Sequence, residues 1–76
     1  MVRAYVLVEM MAGHARDLVN SLKDREEVQD VARVTGPYDV IVVIEAADVN
    51  EISEIVNEEV HSLTGVVRTN TCIALR

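Results

Sequence analysis

Apolar residues recur along this chain with two different spacings, and each spacing predicts one type of secondary structure. Residues 4–8 and 40–44 are short runs with apolar residues on both faces, which is typical of strands covered on both sides. Residues 26–35 alternate less regularly and carry more polar side chains, which predicts a more exposed strand at a sheet edge. Residues 66–75 alternate as a last strand, with Thr69 and Thr71 on one face.

Two further segments have the spacing of amphipathic helices. The first is indicated by a stripe at i, i+3, i+4 and i+7, formed by Ala15, Leu18, Val19 and Leu22. The second follows Asp48, which is a favourable N-cap with Glu51 three residues later, as in a capping box. Gly65 falls just beyond this helix, where a residue in the left-handed conformation is expected. The apolar stripe of the second helix consists of Ile52, Ile55, Val56, Val60 and Leu63.

The order of these elements, strand, helix, strand, strand, helix, strand, predicts a ferredoxin-like α+β sandwich in one domain covering residues 1–76. Right-handed crossovers place both helices on one face of a four-stranded antiparallel sheet, with the first and third strands in its centre. The other face of those apolar strands is then uncovered. We therefore expect two sheets to pack face to face as a homodimer of the dimeric α+β barrel type.

Composition and charge narrow the functional classes. The chain has 76 residues, half of them hydrophobic, but neither tryptophan nor phenylalanine, so a small core leaves apolar surface for self-association. The net charge is −6, and the seven basic residues form no run. Direct nucleic-acid binding and polybasic membrane binding are therefore not expected.

Sequence motifs for cofactor or metal chemistry are absent from the chain. The single cysteine, Cys72, excludes an intrachain disulfide and is expected to be a small buried residue in the last strand. The glycines are isolated and Cys-x-x-Cys does not occur, so neither a cofactor nor a metal is expected. His14 and His61 stand at helix ends, and the interpretation is that both face solvent. The apolar N-terminal run is too short to span a bilayer, and a cytoplasmic protein is expected.

Two sequence stretches resemble a known family. Residues 34–42, "VTGPYDVIV", and residues 65–75, "GVVRTNTCIAL", are similar to the V-T-G-x-[YF]-D and G-V-x-x-T-x-T patterns of the Lrp/AsnC effector-binding module, also called the RAM domain. The resemblance implies dimerisation through the sheet, assembly of dimers into rings, and amino-acid effectors bound near the turn between dimers. Family members usually carry a helix-turn-helix before this module. The present chain begins at the module, which predicts a stand-alone protein with a full-length regulator as a possible partner.

The effector-binding residues that this resemblance implies are Thr35, Gly36, Tyr38, Asp39, Thr69 and Thr71. In a site for a free amino acid, the carboxylate of Asp39 would accept hydrogen bonds from the ammonium group. The backbone at Gly36 and the threonine hydroxyls would donate to the ligand carboxylate. Tyr38 would supply an apolar wall with a polar tip.

Other interpretations remain open on the sequence. Asp39 could cap its own turn, Tyr38 could shield the sheet end or pack on the partner chain, and the threonines could be ordinary edge-strand residues. As a function, effector binding without catalysis competes with two alternatives. One is a small dimeric enzyme that uses His14 as its acid–base residue. The other is a structural assembly domain with no ligand.

Overall fold

A computed structural model describes residues 1–75 and confirms the predicted α+β sandwich. Within these residues, four strands form one antiparallel sheet in the order β2-β3-β1-β4. The strands are β1 (Val2–Met10), β2 (Val28–Arg33), β3 (Val40–Ala46) and β4 (Val66–Ile73). The two central strands, β1 and β3, are the two whose sequences are apolar on both faces.

The helices cover one face of the sheet. Helix α1 is Ala15–Leu22, and helix α2 is Val49–Ile55. Helix α2 continues without a break as a π-helical segment, Val56–His61, where a regular α-helix was predicted. Such wide turns are rare and are often found at functional sites. None of the helices within residues 1–75 is long and apolar enough to cross a membrane.

The core lies between the helices and one face of the sheet. Alternate residues of β1 and β3 point into it, as the period of two in a strand requires. The helical contribution comes from the predicted stripes, and no polar side chain in residues 1–75 is buried with them. The buried residues are Ala4, Val6, Val8, Met10, Leu18, Leu22, Val40, Val42, Ile44, Ala46, Ile52, Ile55, Val56 and Val60.

Strand β2 is an edge strand, as its mixed pattern predicted, and it contains no fully buried residue. Its pairing with β3 shifts between Val28 and Asp30. This irregularity explains the broken alternation in the sequence, because an extra residue in one strand changes the face on which the following side chains lie. Val28 and Val31 consequently both pack against the core.

Helix α2 begins at the predicted cap, which allows a direct test of its contribution to stability. Asp48 is extended, and its Oδ1 accepts the backbone N–H of Glu51 at 2.9 Å. Asp48→Ala is expected to lower the free energy of unfolding by about 0.5–2 kcal/mol, because this N–H loses its partner. Urea denaturation should detect the loss. The control is Asp24→Ala, since Asp24 is exposed and bonds to no side chain within residues 1–75; an equal loss in both variants would contradict the capping role.

Candidate functional site

The turn between β2 and β3 is tied to the end of β1 by Asp39. Its backbone N–H donates to the carbonyl of Val8 at 2.9 Å, and its carbonyl accepts from Val34 at 2.9 Å. Its side-chain Oδ2 accepts the backbone N–H of Met10 at 2.8 Å. The β1–β4 register shifts at Met10, so the carboxylate bonds an N–H at an irregular point of the sheet. Asp39 therefore holds the turn against the end of β1 through Oδ2. Its other carboxylate oxygen, Oδ1, accepts no hydrogen bond within residues 1–75.

The rest of the turn lies at the surface. Gly36 has φ +137°, a conformation in which glycine is favoured, and a Cβ added there would meet nothing within 4 Å. Thr35 and Gly36 are both exposed. The hydroxyl of Tyr38 is hydrogen-bonded to the side-chain amide of Asn70 on β4. Because β1 separates β3 from β4, Tyr38 reaches across β1 on the face away from the helices.

Thr69 and Thr71 lie on the opposite face of the sheet, toward the helices. They pair with Val8 and Val6, whose side chains are buried beneath the helices. Oγ1 of Thr69 is 2.7 Å from Nε2 of His61. Within one chain, the six residues implied by the resemblance are therefore divided between the turn, the face away from the helices and the face toward them.

His61 is held between the π-helical segment and β4. Its Nδ1 is 3.0 Å from Oδ1 of Asn57, and its Nε2 contacts the Thr69 hydroxyl. An amide oxygen only accepts, so Nδ1 donates to Asn57, and Nε2 of the neutral ring accepts from Thr69. His61 is thus bonded at both nitrogens, and it is also exposed, as the sequence interpretation placed it. The i, i+4 spacing of Asn57 and His61 was the available signal, but it did not indicate which strand they would meet.

A groove, here called the helix–edge groove, opens between α2 with its π-helical segment and the edge strand β4. Its volume is about 360 Å³, within the range of small-molecule sites. The walls combine apolar and polar side chains: Val49, Ile52, Ser53, Val56, Asn57, His61, Thr71 and Ile73. Thr71 is the residue that the sequence predicted, whereas Ser53, Asn57 and His61 were missed. The turn residues do not line this groove.

The uncovered face of the sheet, here called the open face, is centred on Tyr5, Leu7, Ile41 and Val43. Ion pairs flank this apolar centre: Nε of Arg3 lies 2.8 Å from Glu45 Oε2 at one end, and Nη2 of Arg68 lies 3.0 Å from Glu9 Oε1 at the other. The hydrogen bond of Arg3 with the Tyr5 hydroxyl and its ion pair with Glu45 raise the pKa of the guanidinium. The open face is therefore an apolar patch with a charged rim.

Two expectations about reactive side chains are wrong. Cys72 is exposed rather than buried, because β4 is an edge strand and Cys72 pairs with Tyr5 on the open face. His14 does not simply face solvent: a Cβ on Gly65 would lie 2.5 Å from its Cγ, so the ring packs on the glycine backbone. Its Nδ1 is buried without a hydrogen bond, and the nearby Asp17 Oδ2 is 3.9 Å away. His14 lacks the bonded partner that an acid–base pair would need.

The fold and the groove define a class: a ferredoxin-like α+β domain with one uncovered sheet face and a groove of small-molecule size. Residues 3–76 match the family model described as the Lrp/AsnC ligand binding domain, and the chain belongs to this family. The chain is 30% identical over 73 residues to the HTH-type transcriptional regulator FL11 of Pyrococcus abyssi. That match covers 96% of this chain and 48% of the regulator, so the chain spans about half the length of the curated relatives it matches.

Solved structures extend the comparison. TTHA0845 from Thermus thermophilus is similar with a TM-score of 0.92 and 34% identity, over 100% of this chain and 95% of that chain. The transcriptional regulator NMB0573 from Neisseria meningitidis, in a structure described as a complex with L-Met, has a TM-score of 0.85 and 25% identity. The match covers 99% of this chain and 50% of NMB0573. FL11 and NMB0573 are described as transcriptional regulators, and the matching family model is a ligand-binding domain, which agrees with a protein that is not an enzyme.

Proposed function

We propose that this chain binds a small amino-acid effector at a contact between subunits, and that the effector stabilises the assembly. The observation that carries this proposal is the helix–edge groove, in which polar groups at Asn57, His61 and Thr71 stand beside apolar walls. A free amino acid has matching parts: its ammonium and carboxylate groups would contact the polar side chains, and its own side chain would contact the apolar walls. The L-Met complex of the similar regulator NMB0573 supports an amino acid as the effector class.

The proposed site takes its two parts from different subunits. The turn at Thr35–Asp39 and the groove lined by Thr71 are separate in one chain, so a single ligand that touches both needs a second copy. Oδ2 of Asp39 already accepts from Met10, but Oδ1 has no hydrogen-bond partner within residues 1–75. That oxygen is the proposed acceptor for the effector ammonium. Thr35, the backbone at Gly36 and the hydroxyl of Thr71 are the proposed donors to its carboxylate. Thr69, whose hydroxyl donates to His61, would instead hold that ring in place beside the groove.

The proposed dimer contact is the open face. An apolar patch flanked by the Arg3–Glu45 and Arg68–Glu9 ion pairs has the apolar centre and polar rim of protein interfaces. Tyr38 lies on this face through its bond to Asn70, so dimerisation would place the turn next to a subunit boundary. Dimers would then assemble into a ring through the turn and the groove.

Coupling between ligand and assembly follows from mass action. A ligand held by groups from two subunits binds the assembled form and not the separate chains, so it stabilises the assembly. The proposed output is a changed oligomer in the cytoplasm, either of this chain alone or together with a full-length regulator of the family. Transcription is then controlled by the partner and not by DNA contacts of this acidic domain.

Calorimetric titration of the twenty amino acids, beginning with L-Met, tests the proposed function. The informative variant is Asp39→Asn, because its amide oxygen still accepts from Met10 while the negative charge is lost. We expect this variant to bind the effector at least about tenfold more weakly, since a hydrogen bond to a charged group contributes roughly 1.5–3 kcal/mol. Thr71→Val, which removes a hydroxyl from the groove at nearly constant volume, should weaken binding as well.

The matched control is Asp30→Asn, which neutralises an exposed carboxylate on the edge strand β2. Asp30→Asn should bind the effector with the same affinity as the wild type. Absence of binding for all twenty amino acids would overturn the proposed function. Equal affinity of Asp39→Asn and wild type would instead remove Asp39 from the site while leaving effector binding intact.

A further inference from the structure

A second cavity lies at the start of α1, beside the last residue of β2. It has a volume of about 340 Å³ and is lined by Gly13, Ala15, Arg16, Asp17 and Arg33. None of these residues belongs to the turn or to the helix–edge groove. We call it the arginine cavity, because one arginine from α1 and one from β2 line it.

The two arginines of this cavity differ from the other described arginines. Arg3, Arg25 and Arg68 each form an ion pair with a carboxylate, at 2.8, 2.8 and 3.0 Å. Arg16 and Arg33 form neither an ion pair nor a hydrogen bond through their side chains within residues 1–75. The chain has thirteen acidic residues and seven basic ones, so carboxylates are plentiful. Two unpaired guanidiniums that line one cavity are therefore a local concentration of positive charge in an acidic protein.

The surroundings of the arginines leave this positive charge only partly compensated. Asp17 also lines the cavity, but its side chain is 64% exposed and its nearest basic atom is Nδ1 of His14 at 3.9 Å. A Cβ added to Gly13 would meet nothing within 4 Å, so the backbone there leaves room for a ligand. Helix α1 starts at this point without a side-chain cap, which adds a partial positive charge to that of the arginines.

We propose that the arginine cavity is a binding site for a small oxyanion, a carboxylate or a phosphate group, held between Arg16 and Arg33. A guanidinium presents its N–H groups as a planar fork that matches two oxygens of a carboxylate or a phosphate. Arg16 on the helix and Arg33 on the strand would donate hydrogen bonds to one anion from two directions. The negative charge of the bound anion would offset the repulsion between the two guanidinium groups. Neutral and cationic ligands gain nothing from this arrangement. The site is separate from the proposed effector site and does not depend on it.

The test is an NMR titration of the ¹⁵N-labelled full chain at constant ionic strength, with inorganic phosphate in one series and succinate in the other. Succinate carries carboxylates but no ammonium, so it cannot satisfy the proposed amino-acid site. We expect saturable shifts of the backbone amides of residues 13–17 and 33 with at least one of the two anions. The series that saturates at the lower concentration identifies the oxyanion class.

Arg16→Gln and Arg33→Gln should each weaken this binding by at least about tenfold, because each removes charge-assisted hydrogen bonds. Both side chains are exposed, so the folded state should persist in each variant. The control is Lys23→Gln, which removes the same charge at the other end of α1 and should leave binding unchanged. Shifts that fail to saturate, shifts that lie outside the cavity, or an equal loss in Lys23→Gln would each overturn the proposal.

Discussion

Gly65→Ala is expected to destabilise the domain by about 2–5 kcal/mol. Gly65 has φ +100°, in the left-handed region that costs a residue with a Cβ free energy. The added Cβ would also lie 2.5 Å from Cγ of His14, which forces the ring or the backbone to move. The carbonyl of Gly65 accepts the N–H of Met11 at 2.7 Å, so a displaced backbone would weaken the β1–β4 connection.

Urea unfolding at a fixed protein concentration measures this loss and separates its two causes. Gly13→Ala is the matched control, because Gly13 has φ +85° but open space around the added Cβ. It should show only the backbone part, about 1–2 kcal/mol. His14→Gly removes both the ring and the Cβ of His14, which would lie 2.6 Å from the added Cβ, so adding Gly65→Ala to His14→Gly should cost only the backbone part. Equal losses for Gly13→Ala and Gly65→Ala would contradict a steric role for His14.

Leu7→Glu is expected to dissociate the proposed dimer into folded monomers. Leu7 lies on the central strand β1, opposite Ile41, in the middle of the open face. A carboxylate buried there without a partner would cost several kcal/mol, which corresponds to at least about a hundredfold weaker dimer. Its side chain points away from the helices, so the core and the circular dichroism spectrum should be retained.

Sedimentation velocity at micromolar concentration distinguishes the outcomes. Wild type should sediment as a dimer or a larger assembly, and Leu7→Glu as a monomer. Asn20→Glu adds the same charge to an exposed position on α1 and should not change the wild-type distribution. The thiol of Cys72 provides a second measurement, because it lies on the open face and should react with a thiol reagent faster in Leu7→Glu. A monomeric wild type would refute dimerisation, and an unchanged Leu7→Glu would exclude the open face as the contact.

Most of the fold was predictable because its signals are local. The periods of the apolar residues identified every strand and both helices, and Asp48 and Gly65 marked the ends of the second helix through their conformational preferences. The central position of β1 and β3 followed from the order of the elements and their right-handed crossovers, and it agreed with the apolar character of these strands on both faces. The π-helical segment was not predictable in this way, since Val56 and Val60 are spaced as they would be in an α-helix.

The candidate site was predicted less completely than the fold. Motifs along the chain selected Asp39 and Thr71, but they did not show that Asp39 already bonds Met10 or that Thr71 faces a groove with Asn57 and His61. These contacts join residues that are distant in the chain. Their geometry depends on which strand lies at the edge and which face each side chain takes.

The sequence by itself therefore determined the elements, their order, the apolar face of each and the family to which the motifs are similar. Only the tertiary structure decided that Cys72 is exposed, that His14 packs on Gly65, and that Arg16 and Arg33 line one cavity. The physical reason is that hydrophobic periodicity records whether a position is covered and does not record what covers it. The neighbours of a side chain are set by sheet order, register and helix packing, which involve the whole chain.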